Sequence, residues 1–398
     1  MDITIHPLHL RGTITAIPSK SQAHRLLICA AFADGPTTLI CPETNRDIEA
    51  TAACLQSLGA TIERTELGYH VNPIVTLPQT AILPCGESGS TLRFLLPIVG
   101  ALGVDSTFLM EGRLPQRPLS PLWEEMERMG CNLSRPTATT LRCTGKLRPG
   151  SYRINGDVSS QFITGLLFAL SALESSSSIE IIGTLESKPY VDMTMQAMES
   201  FGLKCEDFQV QGGKTYHSPG TVIVEGDWSN AAFFLAANAL GSKINILGLN
   251  FDSAQGDKAA FDLIADLQKH ESICAKDIPD LIPILSVVAA ANEGAVFTDI
   301  ARLRLKESDR VATVIAMLEA LGGKAEASDN TLTVYPSNLT GGTVDPMNDH
   351  RIAMSAAIAA IICQKDVTIR NSECVNKSYP KFFEEYRRLG GNYEQYLR

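Results

Sequence analysis

The sequence predicts an α/β protein of two domains, each assembled from three copies of one repeating unit. Three observations carry this reading. The chain has 398 residues, 44% hydrophobic and 20% charged, long enough for two sizeable cores and too apolar for wholesale disorder. A polar opening followed by an Ala/Leu/Ile-rich run recurs near residues 21, 88, 159, 228, 278 and 348, at spacings of 67, 71, 69, 50 and 70. About 40 residues after an opening comes a second recurring segment, a helix ending in a large apolar residue and Gly, then a short strand.

The openings read SQAHRLLICAAF, SGSTLRFLLPIVGAL, SSQFITGLLFALSAL, WSNAAFFLAANAL, IPDLIPILSVVAAA and NDHRIAMSAAIAAII. After its polar start each is apolar nearly all round, so each is a buried helix. The second segment appears as ACLQSLGATIE (53–63), EEMERMGCNLS (124–134), MQAMESFGLKCE (195–206), MLEALGGKAEA (317–327) and EEYRRLGGNYE (384–394). Its charged face predicts exposure, and Gly after the last turn is the expected left-handed cap. A degenerate copy, DLIADLQKHESICA (262–275), has no glycine. Strands are expected at 106–110, 178–183, 221–226, 244–248, 332–336 and 367–371, where short apolar runs end in turn residues. Each unit thus runs helix, strand, helix, strand, strand. The boundary between the two sets of three falls in VEGD (224–227), and the first 18 residues form a spare strand that pairs elsewhere.

Composition narrows the function. There are 34 Lys and Arg against 44 Asp and Glu, a net charge of −10, which disfavours a nucleic-acid binder. The opening MDITIHPLHLRG has no apolar core of a secretory signal. The apolar runs 162–173 and 352–363 fall short of the ~18 residues that span a bilayer. Ten cysteines are scattered without a CxxC pair, as expected of reduced core thiols in a cytoplasmic protein. No HExxH or GxGxxG is present, and no metal is expected. GGKT (212–215) imitates the end of a phosphate-binding loop, but Phe208 stands where its first glycine belongs.

Chemistry collects at the helix starts. A helix N-terminus presents unpaired N–H groups and a positive partial charge, which suits anions. The first unit places Ser19, Lys20, Ser21, His24 and Arg25 there. The second places Gly86, Glu87, Ser88, Gly89, Ser90, Thr91 and Arg93, and the third Ser159, Ser160 and Gln161. The fifth has Asp280, and the sixth Asp349, His350 and Arg351. Between them lie Arg117 in LPQRPLSP, Ser187, Lys188 and Tyr190 in SKPY, Lys306, Glu307 and Arg310 in RLRLKESDR, and Lys377 in NKSYP. Singly, such residues are ordinary helix caps, turn glycines or solvated faces. Their recurrence at one place of a repeated unit, where an unpaired cation is costly, points instead to a cleft holding a small polyanion with phosphate and carboxylate groups. Asp280 and Glu307 are the proton-transfer candidates in that cationic setting.

The strings PSKSQAHR (18–25), CGESGSTLR (85–93), QRP (116–118), SSQF (159–162), SKPY (187–190), VEGDWS (224–229), IPD (278–280), LKESDR (305–310), NDHRIAM (348–354) and NKSYP (376–380) resemble the 5-enolpyruvylshikimate-3-phosphate synthase family, in its order and across essentially the whole chain. The resemblance implies two domains, 19–226 and 1–18 with 227–398, with hinges near 18–21 and 224–229. Each would hold three βαβαββ units around buried helices, in an inverted α/β barrel arrangement. It implies transfer of the enolpyruvyl group of phosphoenolpyruvate to the 5-hydroxyl of shikimate 3-phosphate, releasing phosphate, in chorismate biosynthesis, by a cytoplasmic monomer without metal or organic cofactor that closes on its substrates. Ser21 and Arg25 would bind the shikimate carboxylate, and Ser159, Ser160 and Ser187 its phosphate, with Tyr190 nearby. Gly89, Arg117, Arg310, Arg351 and Lys377 would hold phosphoenolpyruvate. Lys20 would serve both anions, and Gln161 would lie between them. Asp280 would take the hydroxyl proton, Glu307 would act at the enol carbon, and Lys306 would contact the shikimate phosphate and hydroxyl region. The chain departs from the family at Glu87-Ser88-Gly89-Ser90, where many members have Asn-Ala-Gly-Thr, and at Arg302, where Asn is frequent. Two alternatives stand beside this reading: enolpyruvyl transfer to UDP-N-acetylglucosamine, and a non-catalytic anion-binding protein on the same fold.

Overall fold

The computed structural model describes residues 1–396, the side chain of Gln268 excepted. The chain divides into two compact units, one comprising Pro18–Glu225, the other Met1–Ile17 together with the chain from Gly226 on. Each has its own continuous hydrophobic core. No helix among the described residues is long and apolar enough to cross a membrane.

The Pro18–Glu225 unit holds three open sheets, each with one parallel pair, and in two of them a buried helix spans that pair. Thr80–Gly86 pairs with Asp105–Met110 across the helix Gly89–Leu102, and Ser151–Asn155 pairs with Ser177–Ile182 across Ser160–Ser171. In the first sheet the parallel partner of Thr37–Ile40 is Thr221–Ile223, from the far end of the unit. An antiparallel hairpin completes the first two sheets, Gly68–Asn72 with Thr61–Arg64 and Thr140–Gly145 with Cys131–Ser134. The third gains only Gln209–Val210, so no strand follows Gly202 where the repeat led one to be expected.

The other unit repeats the scheme with two departures. Ala295–Thr298 pairs in parallel with Ile273–Cys274 and carries the hairpin Thr331–Tyr335 and Lys324–Ala327. Val367–Ile369 pairs in parallel with Gly342–Val344 across the helix His350–Ala359. Its next neighbour is the N-terminal strand Asp2–His6, in antiparallel register Ile3↔Ile369, which is flanked in turn by Asn392–Tyr396. The first 18 residues therefore supply two strands rather than one, because Arg11–Thr15 pairs in parallel with Lys243–Leu247. That last sheet stays two-stranded. The degenerate segment 262–275 makes a helix, Ala260–Ala265, and the strand Ile273–Cys274, which opens the next sheet. The missing hairpin accounts for the short spacing of 50 in the repeat. The sheets are separate and open, and none closes into a barrel among the described residues.

The first helix of each repeat is buried as its composition predicts. Every residue of His350–Ala359 is buried, as are Ile282 to Ala290 of the helix Ile282–Ala291. The glycine that ends the second helix has positive φ, from +81° at Gly202 to +117° at Gly130. Two of the buried helices meet at a point set by composition. Pro97 lies inside Gly89–Leu102 and has no N–H to give the carbonyl of Arg93, four residues earlier. Gly165 of the neighbouring helix lies over that carbonyl, so close that a Cβ at 165 would stand 2.2 Å from its oxygen and 3.0 Å from Pro97 Cγ. This approach fixes the two helix starts relative to each other. Ala gains about 1 kcal/mol over Gly in a helix interior, but overpacking against rigid backbone costs about 1–3 kcal/mol or more. Gly165→Ala is therefore expected to destabilise the protein, read as a lower urea midpoint at unchanged m-value; an unchanged or raised midpoint would show that the helices can part without cost.

Candidate active site

In the Pro18–Glu225 unit four helix starts carry candidate residues. Ser19 caps Lys20–Ala31 by accepting from the Gln22 N–H, and Lys20 Nζ lies 2.9 Å from Asp47 Oδ2. Arg25, one turn further in, is 2% exposed. It donates to Thr194 Oγ1 at 2.8 Å, the Tyr190 carbonyl at 2.8 Å, the Ser21 carbonyl at 2.6 Å and Thr164 Oγ1 at 3.3 Å, and stacks 5.0 Å over Phe94. These oxygens are neutral, and among the described residues no carboxylate pairs with Arg25. Burial pulls its guanidinium below the ordinary value. Burial, then the charges of Lys20 and Arg25, hold the His24 ring neutral, bonded to Thr51.

The second helix start is shaped by Gly86 at φ +54° and by Ser88, which accepts from the Thr91 N–H. Gly89 admits two guanidinium groups: a Cβ there would stand 2.6 Å from Arg117 Nη1 and 2.8 Å from Arg93 Nη1. Arg93, 3% exposed, donates to Gln161 Oε1 at 2.9 Å, and Gln161 Nε2 donates to Ser90 Oγ at 3.0 Å. Gly89, Ser90, Arg93, Arg117 and Gln161 thus converge. The Glu87 carboxylate turns to Gly112, whose φ is +54° and where a Cβ would overlap it. Ser159 caps Ser160–Ser171, with Ser160 buried behind it. Ser187 is 1% exposed and sits at φ +55° at the start of Lys188–Ser200. A serine in that left-handed conformation costs about 1–3 kcal/mol. Lys188 turns away to Asp192 at 2.7 Å.

The other unit gathers Asp280, Lys306, Glu307, Arg310 and Arg351 into one network. Arg310, 1% exposed, binds three carboxylates: Nε to Asp349 Oδ2 at 2.9 Å, Nη1 to Asp280 Oδ1 at 2.5 Å and Nη2 to Glu307 Oε2 at 2.6 Å. Asp280 also meets Lys306 Nζ at 3.5 Å and Arg351 Nη2 at 3.3 Å. Asp349, fully buried, accepts from Ser308 Oγ at 3.0 Å and caps its own helix through the Arg351 N–H. Lys377 Nζ donates to the Asn348 carbonyl at 2.9 Å, beside that helix start.

Electrostatics follow from this packing. Burial pushes the Asp280 carboxyl up, but Arg351, Lys306 and Arg310 outweigh it and hold it well below the usual carboxylate range. Burial pulls Lys306 down to about 8 against the pull of Asp280, with Arg310 and Arg302 adding to the depression. Arg310 is held well above its ordinary value by Asp349, Glu307 and Asp280, which outweigh its burial. Sequence reasoning gave no role to Arg93, Asp47, Thr194 or Asp349. Arg93 carried a signal, since it lies one turn into its buried helix as Arg25 does. Asp349 stood in plain view as a helix cap, but its bond to Arg310 comes from another element.

A family model described as EPSP synthase (3-phosphoshikimate 1-carboxyvinyltransferase) matches residues 6–386. The chain belongs to this family. It is similar to the 3-phosphoshikimate 1-carboxyvinyltransferase of Clostridium kluyveri, 38% identical over 99% of this chain and 98% of that one. The enzyme of that name from Clostridioides difficile is 37% identical, over 99% and 98%. The solved EPSP synthase of Acinetobacter baumannii shares the fold at a TM-score of 0.80 and 22% identity, covering 99% of this chain and 100% of that one.

Breaking a buried ion pair from one side leaves an uncompensated charge, at about 3–5 kcal/mol. Asp349→Ala is expected to lower stability by that order in urea titration. A loss under ~1 kcal/mol would mean that Arg310 is held by Asp280 and Glu307 alone.

Proposed function

We propose that the two sets of cations serve one reaction, transfer of the enolpyruvyl group of phosphoenolpyruvate to the 5-hydroxyl of shikimate 3-phosphate with release of phosphate, in a cytoplasmic setting that suits ten free cysteines. The observation that carries the assignment of residues is Arg25, a buried guanidinium bonded, among the described residues, only to neutral oxygens. A cation so placed gains most from a carboxylate that arrives with a ligand. In this reading Arg25 and Ser21 take the shikimate carboxylate. Ser159, Ser160 and Ser187 take its phosphate, with Tyr190 beside them, and Lys306 contacts the phosphate and hydroxyl region. Gly89, Arg117, Arg310, Arg351 and Lys377 take phosphoenolpyruvate. Lys20 serves both anions, and Gln161 lies between them.

The chemistry is an addition followed by an elimination. Glu307 gives a proton to the enol carbon, which makes the adjoining carbon electrophilic. The 5-hydroxyl attacks that carbon and loses its proton to Asp280. A tetrahedral intermediate results; loss of a proton from its new methyl group to Glu307 and cleavage of the bond to phosphate, which departs with the proton that Asp280 took up, complete the transfer. Asp280 is a weak base while Arg351, Lys306 and Arg310 hold it, and Glu307 is bonded to Arg310. An anionic substrate that draws on Arg310 and Arg351 weakens the hold on Asp280 and raises its basicity, so proton transfer is coupled to substrate binding.

The decisive measurement is phosphate release from phosphoenolpyruvate. It is expected with shikimate 3-phosphate and not with UDP-N-acetylglucosamine; the reverse pattern would assign the chain to the other enolpyruvyl transfer. Lys306 adds a pH signature. It is charged below about 8 and neutral above, so kcat/KM is expected to fall as pH rises through that value. Lys306→Arg keeps its charge and should carry the limb to higher pH. A limb that stays in place would belong to another group.

A further inference from the structure

Four buried polar side chains of the Pro18–Glu225 unit have no part in the reaction as assigned above. His24 and Thr51 are fully buried, and Thr91 and Ser88 nearly so. They come from three helices. His24 lies one turn after Lys20 on Lys20–Ala31, and Thr51 one turn after Asp47 on Arg46–Ser57. Ser88 caps Gly89–Leu102, and Thr91 stands in its first turn. His24 Nδ1 is 2.7 Å from Thr51 Oγ1, which is 2.7 Å from Thr91 Oγ1. Thr91 Oγ1 in turn donates to Ser88 Oγ at 2.7 Å. The Thr91 N–H donates to the same Ser88 oxygen at 3.2 Å, and the Asp47 carbonyl, at 3.4 Å, is a second acceptor for the Thr91 hydroxyl. The carboxylate of that same Asp47 holds Lys20 Nζ at 2.9 Å.

Proton counting gives this chain a direction. A hydroxyl has one proton to give. Thr91 spends its proton on Ser88 or Asp47, so it accepts from Thr51; Thr51 has then spent its own and accepts from His24. The neutral His24 ring therefore carries its N–H at Nδ1, and Nε2, buried without a partner, is a bare lone pair. The other tautomer would bury an N–H with no acceptor, which native structures avoid. Phe94 meets the ring edge-on, with centroids 6.3 Å apart. A buried hydrogen bond adds little stability over apolar groups of the same shape. What a one-way chain adds is register, because each bond fixes the rotation of the next side chain and polarises it.

We propose that His24 and Thr51 are positioning residues for phosphoenolpyruvate: through Thr91 and Ser88 they fix the helix start that carries Gly89 and Ser90 against the helices that carry Lys20 and Asp47. The proposal rests on the assignment of Gly89 to phosphoenolpyruvate. No bond of the chain reaches Arg25, which has four oxygens of its own, so the shikimate carboxylate is held independently.

The experiment breaks the chain in its middle. Thr51→Val removes the hydroxyl at nearly constant shape, and Thr51→Ser keeps it. KM for each substrate, with the other saturating, and kcat are read from phosphate release. Thr51→Val is expected to raise KM for phosphoenolpyruvate about fivefold, the worth of one neutral hydrogen bond, while kcat and KM for shikimate 3-phosphate change less than about twofold. Thr51→Ser is expected to return KM for phosphoenolpyruvate to the wild-type value. An unchanged KM overturns the proposal. So does an equal rise in both KM values or a matching fall in kcat, the mark of general loosening, and so does a serine that fails to rescue. Should Thr51→Val fail to fold, His24→Leu and His24→Asn, which keeps an N–H near the Nδ1 position, form the pair with the same outcomes. The backbone amide resonances of Gly89 and Ser90 supply a readout independent of turnover. They are expected to move in Thr51→Val and to return in Thr51→Ser; unmoved resonances overturn the proposal. Absence of turnover in wild type would instead overturn the assigned reaction, and the amide resonances would then decide whether the chain positions this helix start.

Discussion

A charged side chain at the start of a buried helix must be given oxygen atoms before the helix can pack, because an unpaired ion in a dry interior costs more than the core around it returns. Both units meet this constraint, and they meet it in opposite ways. Around Arg310 the protein supplies the oxygens itself, as three carboxylates. Around Arg25 it supplies hydroxyls and carbonyls and withholds the negative charge. The first arrangement is electrically satisfied within the protein. The second is solvated by neutral oxygens and, among the described residues, pairs with no carboxylate. In the proposed reading a ligand would enter the first by exchange and complete the second.

The helices that present these groups are held by details of backbone packing. Pro97 leaves the Arg93 carbonyl without its helical donor, and Gly165 lets a neighbouring helix settle on it. Arg93 and Gln161 are carried by these two helices and bond each other at 2.9 Å. A polar contact at the site is thus fixed by two residues with no polar side chain.

Much of this was legible in the sequence, because burial imposes a period. Six apolar runs with polar openings gave the number of repeats and the places where chemistry collects, and glycine at the end of the second helix marked its turn. What local pattern could not show is pairing at a distance. Nothing in DITIH says that it enters a sheet between Val367–Ile369 and Asn392–Tyr396. The third and fourth repeats look regular up to the points where their hairpins fail. Ser187 reads as an ordinary helix start, whereas its left-handed backbone is imposed by its surroundings.

The strand Asp2–His6 has a consequence for the order in which the chain matures. Pro18–Glu225 is one continuous stretch, and its last strand, Thr221–Ile223, emerges just as the unit is complete. The other unit draws on both ends of the chain. Asp2–His6 is made before either of its neighbours, Val367–Ile369 and Asn392–Tyr396. Both edges of the strand therefore wait, uncovered, until those distant segments follow. An intervening unit that folds promptly shortens the effective loop that must close, and chaperones have most to guard at the end of the chain made first.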